Sequence, residues 1–174
     1  MLRPIVILLA LTSLLSAAGR PVFAHVFLEQ EQAPANSDYK AVFHVPHGCD
    51  GSPTIRMQVR MPPGTSSVKP EPKPGWQLEV VNAKLVPPLD DGHAGKSGEV
   101  VEEVSWSGGS LLDTRSDEFV IVMRLPDRPG ATLYFPVVQQ CAQGVHRWIE
   151  IPEAGKPADD YREPAPALRL APAR

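Results

Sequence analysis

Eighteen of the chain's 20 prolines fall after residue 24, where with the glycines they cut the sequence into short apolar runs. Proline lacks the amide proton that a helix interior or a central strand uses, so such spacing leaves no room for long helices. Runs of Ala, Leu, Glu and Lys at helical period are also scarce. Short runs separated by frequent turns predict an all-β chain.

The runs alternate with the two-residue period of half-buried strands. Tyr39, Ala41, Phe43 and Val45 share one face, as do Ile55, Met57 and Val59. Trp76, Leu78 and Val80 group together, and so do Val100, Glu102, Val104 and Trp106. Phe119, Ile121, Met123 and Leu125 form another apolar face, with Glu118 on the opposite side. Residues 131–138 are apolar nearly throughout and read as a central strand, although Pro136 demands an edge or a bulge. In residues 145–151 the alternation places Val145, Ile149 and Ile151 opposite His146, Trp148 and Glu150.

Turn chemistry separates these runs at residues 46–53, 62–64, 69–75, 107–110 and 127–130. Seven or so short strands punctuated in this way predict a β-sandwich, immunoglobulin-like or cupredoxin-like, which the pattern fits better than a closed barrel. Residues 85–98 read as a long mobile loop. From residue 153 the chain turns rich in Pro, Ala and charge, so residues 153–174 read as a tail that runs over the surface or frays.

Residues 1–24 have the form of a secretory signal. Arg3 precedes an apolar core over residues 5–15, too short for a membrane anchor, and Val22 and Ala24 suit the positions before a cleavage point. Cleavage after Ala24 leaves one domain of 150 residues, and no later stretch reaches membrane-spanning length. The signal carries two of the 17 basic residues and none of the 20 acidic ones, so the mature charge is −5. That balance gives no footprint for nucleic acid. Export to the periplasm or beyond makes Cys49 and Cys141, 92 residues apart, read first as a disulfide, with paired thiolate ligands as the alternative. An unstrained bridge of that span stabilises by about 4–5 kcal/mol on the chain-entropy model.

Cleavage after Ala24 would also make His25 the first residue. Its α-amine and ring nitrogen can then close a chelate around one ion, and amine-plus-imidazole donors favour copper(II). A carboxylate would complete such a site. No nucleophile elbow, zincin motif or phosphate loop is present, and the adjacent acidic pairs point to opposite strand faces. Among the other histidines, His47 in the Pro46-His47-Gly48-Cys49 turn is a secondary candidate. His44, His93 and His146 read as surface residues, His146 beside Trp148 on an outer face.

Several segments resemble the YcnI-like domain. They are His25 after the signal, Asp117-Glu118-Phe119, Tyr134-Phe135-Pro136-Val137-Val138-Gln139 leading to Trp148, Trp106-Ser107-Gly108-Gly109, and Lys73-Pro74-Gly75-Trp76. Val45-Pro46-His47-Gly48-Cys49 and residues 141–152 resemble its proteobacterial branch, in which two cysteines pair. The resemblance spans residues 25–152 and implies an exported copper-associated β-sandwich. It further implies a one-histidine brace made by His25 and a carboxylate, with a tryptophan beside the metal. Carried over, the carboxylate is Glu118, with Asp117 its competitor, and the tryptophan is Trp148, with Trp76 and Trp106 as alternatives.

The expected function is copper(II) binding for acquisition, delivery or tolerance, with a membrane copper transporter or copper chaperone as partner. Two other classes compete: a copper-dependent oxidative enzyme, and a structural or interaction sandwich without metal. The enzyme class uses a second equatorial histidine, which is not assignable here. A carboxylate in its place stabilises copper(II) against cycling, so a carrier rather than an enzyme is expected.

Overall fold

The computed structural model describes residues 25–90 and 96–173. The signal and its cleavage point lie outside the described residues, as does His93. Twelve strands are assigned in chain order: β1 (Phe27–Leu28), β2 (Gln32–Pro34), β3 (Asp38–Val45), β4 (Thr54–Arg60), β5 (Ser66–Pro70), β6 (Gln77–Asp90), β7 (Lys96–Leu111), β8 (Asp117–Arg124), β9 (Thr132–Tyr134), β10 (Val137–Cys141), β11 (Val145–Trp148) and β12 (Ala167–Ala171). They form a β-sandwich. One sheet has the order β1-β3-β8-β5, the facing sheet β11-β10-β4-β7-β6, and a small third sheet the order β2-β12-β9.

The expected alternation on β3, β4 and β8 is the alternation observed. Phe43, Val45, Met57, Val59, Phe119 and Ile121 are buried between the sheets. Aromatic rings interlock there: Phe119 lies 5.2 Å from Trp106 and 5.1 Å, edge-on, from Trp76, and Phe43 lies 5.6 Å from Phe135. Trp106 is fully buried, and its indole N–H donates to the Glu71 carbonyl at 3.0 Å. The one polar atom of a large apolar group is thereby satisfied.

Pro136 explains why residues 131–138 are not one central strand. The chain breaks at Phe135-Pro136, so β9 joins the small sheet and β10 the five-stranded one. The Phe135 N–H turns to the Pro166 carbonyl, and the Pro136 carbonyl accepts from Arg60 N. A residue that cannot donate to a ladder thus becomes the switch between two sheets.

Three further expectations change. The loop expected over residues 85–98 is largely paired backbone, because β6 runs to Asp90 and β7 restarts at Lys96. β6 is an edge strand, where Pro87 and Pro88 are tolerated, and its register shifts between Lys84 and Leu89. The expected turn at Ser107-Gly108-Gly109-Ser110 lies inside β7 at an irregularity opposite β4. A side chain at Gly109 would overlap the Trp76 ring, so glycine there permits close packing rather than a reversal.

The largest correction concerns the tail. Residues 153–160 run over the surface, but β12 returns to the core, where Leu168 and Leu170 are buried. β12 pairs parallel with β2 and antiparallel with β9. The domain therefore extends through β12 and does not end at residue 152. Leu168→Ala should destabilise the protein by about 2–5 kcal/mol. Urea unfolding read by tryptophan fluorescence checks this, since a fraying tail would leave the midpoint unchanged.

Candidate functional site

His25 enters the fold just ahead of β1, whose Phe27 and Leu28 pair with His44 and Phe43 of β3. Val26 and Leu28 are buried and hold the segment down. The His25 ring lies 5.5 Å from that of Trp148 on β11, tilted by 55°. The free edges of the two facing sheets thus meet at this contact. His25 also lines a cavity of about 330 Å³ together with Glu31, Asp159, Thr132 and Arg169.

Trp148 is 4% exposed, whereas Val145, Ile149 and Ile151 are 43–56% exposed apart from Val145 at 44% within that range. The face expected to be outermost is therefore the inner one. β11 is a four-residue edge strand, and its inward residues pack on groups from other segments. Trp148 donates its indole N–H to Gln139 Oε1 at 3.0 Å. The Gln139 amide nitrogen donates to the His47 carbonyl at 2.6 Å and to Thr54 Oγ1 at 2.8 Å. This buried glutamine ties β10, β11, β4 and the His47 turn together.

His146, paired with Gln139 in the β10–β11 ladder, stacks on Trp148 at 5.0 Å. Its Nδ1 lies 2.8 Å from Glu163 Oε1, and Glu163 Oε2 accepts from Arg147 N at 2.9 Å. Burial pushes the Glu163 carboxyl upward, but the His146 hydrogen bond, the Arg147 N–H and the nearby positive charges outweigh it. The net shift is below the ordinary glutamate value. His47 lies 6.1 Å from His146, ring to ring and edge-on. Its turn is fixed by the Cys49–Cys141 disulfide and by Gly48, where a side chain would overlap the Ser52 carbonyl.

Of the expected ligands, the structure brings His25 and Trp148 together and puts Glu118 elsewhere. Glu118 lies on β8, two strands from β1, with its carboxylate 3.4 Å from His44 Nδ1. Phe27 stacks on the other side of that histidine at 4.9 Å. Asp117 is engaged by Lys73 Nζ at 2.6 Å. Both acids line a separate cavity of about 390 Å³ with His44 and Lys73. Trp76 and Trp106, the alternative aromatics, are core residues packed on Phe119. Among the described residues no three His, Cys, Asp or Glu side chains converge on a metal-sized point.

Sequence reasoning missed Glu31, Asp159, Gln139 and Glu163. Glu31 is six residues past His25, and local proximity alone was its signal. Asp159 and Glu163 lay in the supposed tail. Tyr39 positions the Glu31 segment, its hydroxyl donating to the Gln30 carbonyl at 2.6 Å. Burial, then the Glu29 and Glu31 charges, raise the Tyr39 phenol well above its ordinary value.

A family model described as "Domain of unknown function (DUF1775)" matches residues 25–170. The chain belongs to this family. A crystal structure of an uncharacterized protein from Nocardia farcinica, with an immunoglobulin-like fold, is similar to this family member. The two are 25% identical, the match covers 84% of this chain and 98% of that chain, and the TM-score is 0.64. No curated protein matches the chain. The family match reaches into β12, in agreement with its place in the core.

Two outcomes follow from this geometry. Gln139→Leu leaves the Trp148 N–H and the His47 carbonyl unsatisfied, at about 1–3 kcal/mol for each buried group. Thermal unfolding should show the loss, and an unchanged midpoint would mean that the amide is not a tie. The Tyr39 phenol binds its proton more tightly folded than unfolded, so its contribution to stability is complete below the unfolded value near 10. That contribution is lost as pH rises toward the folded value. Denaturation midpoints should therefore fall more steeply above about pH 10 in the parent than in Tyr39→Phe.

Proposed function

We propose that this protein is an exported copper(II)-binding carrier, YcnI-like within its family, that uses processed His25 for copper acquisition, delivery or tolerance. The observation that carries this reading is the position of His25. The family match begins on it, and its ring rests on Trp148 beside a cavity lined by two carboxylates.

Freed by cleavage after Ala24, the His25 amine and ring nitrogen supply two of the donors that copper(II) prefers. This pair arises from one residue, so it does not require a preformed cluster of three side chains. A carboxylate then offsets part of the ion's charge. Glu31 and Asp159 line the His25 cavity and take precedence over Glu118, which is occupied with His44. Trp148 shields one side of the site and offers a ring face to a cation. The Cys49–Cys141 bridge supports residence in an oxidising compartment, the periplasm or outside the cell. The copper ion is cargo on this reading.

The test is a paired copper(II) titration. Protein beginning at His25 should bind one equivalent, and the same protein with one extra residue before His25 should bind at least about 100-fold more weakly, since it loses the amine donor. Equal affinity in the two forms would defeat the reading. Glu31→Gln and Glu118→Gln, titrated in the mature form, identify the carboxylate: the expected loss is in Glu31→Gln.

A further inference from the structure

The His146 ring is satisfied on one side only. Nδ1 faces the Glu163 carboxylate at 2.8 Å, while Nε2 is buried with no hydrogen-bond partner. Buried polar atoms in native proteins are nearly always satisfied, and an exception points to a water or an ion. A carboxylate accepts, so Nδ1 is the donor and Nε2 carries the lone pair. His47 has the same tautomer by the same logic, because its Nδ1 lies 2.6 Å from the Gly48 carbonyl, which can only accept. Two neutral imidazoles with their Nε2 lone pairs available stand 6.1 Å apart, ring to ring and edge-on.

We propose that His47 and His146 form a second metal site, for a low-coordinate closed-shell ion of the copper(I) type, separate from the His25 chelate. Metal–imidazole bonds are about 2 Å, so two in line plus about 1 Å from each nitrogen to its ring centre span about 6 Å. The observed separation is 6.1 Å. A structural zinc site requires four ligands, and among the described residues no third His, Cys, Asp or Glu joins the pair in a metal cluster. Copper(I), with a filled d shell, accepts two nitrogen donors in line.

The surrounding structure orients both rings. Glu163 fixes the His146 tautomer, as outer-shell carboxylates do for metal-binding histidines. Trp148 covers the His146 face. Gln139 pairs with His146 in the ladder and holds the His47 carbonyl at 2.6 Å. The disulfide begins two residues after His47 and ends on the strand that carries Gln139.

The test uses protein with one extra residue before His25, which removes the amine chelate and leaves this pair intact. Copper(I), added anaerobically as its acetonitrile complex without thiol, is titrated against a colorimetric chelator. One equivalent should bind, with at least about a 10-fold loss in His47→Gln and in His146→Gln, and a 10–100-fold loss in Glu163→Gln, where Glu163 acts as a positioning residue. Nitrogen-15 spectra of the unsubstituted protein avoid any folding defect in the variants. Both Nε2 resonances should move on adding copper(I), and the Nδ1 resonances should stay protonated. Parent-like affinity in both histidine variants, or Nε2 resonances unmoved at saturating copper(I), would overturn the proposal and leave a water-filled gap. Neither result bears on the His25 reading, which is decided with copper(II) on the mature protein.

Discussion

The packing of Phe119 against Trp106 and Trp76 fixes the distance between the two large sheets, and the rest of the structure depends on it. Trp106 comes from the five-stranded sheet and Phe119 from the four-stranded one, so their contact spans the sandwich. Side chains in such a core sit at crystal-like density, which leaves the sheets little freedom to slide. With the separation set, the edge strands β1 and β11 meet, and His25 comes to rest on Trp148. The site is thus a consequence of how the sandwich closes at one edge. Its chemistry is supplied by short segments that would have no fixed position alone.

How much of this was legible in the sequence depended on whether alternation and burial agreed. They agreed on β3 and β8, central strands of one sheet, where each inward residue meets the facing sheet. They disagreed on β11, because at an edge the inward face is defined by whatever segment covers it. There Trp148 and His146 turned in, toward His25 and Glu163, and the aliphatic residues turned out. β12 escaped notice because Leu168 and Leu170 sit among prolines and charges, a context that reads as tail. Composition over 20 residues averages away two buried leucines.

The candidate site divides along the same line. His25 and Trp148 were legible, one from its place after the signal and the other from family resemblance. Glu118 was chosen because it faces away from the core, yet facing outward on β8 carries it to His44 and Phe27, across two strands from the His25 segment. Parity along a strand says which side a residue takes, and it is silent about which neighbouring strand supplies its partners. Glu31 shares the cavity of His25 because the chain between them folds back on itself, anchored by the Tyr39 hydroxyl at Gln30.

Trp148 links the two places where a metal can be held. It contacts His25 on one element and His146 on its own strand, and its indole nitrogen is fixed by Gln139, which also fixes the His47 backbone. An ion at either place therefore biases the same tryptophan rotamer and the same amide. Any difference in that bias between the empty and filled states becomes a coupling free energy, and such coupling acts equally in both directions. The two donor sets differ in kind: an amine, an imidazole and a carboxylate favour copper(II), whereas two buried imidazoles suit copper(I). A carrier built in this way would hold the two oxidation states at adjoining positions, with one buried glutamine setting the distance between them.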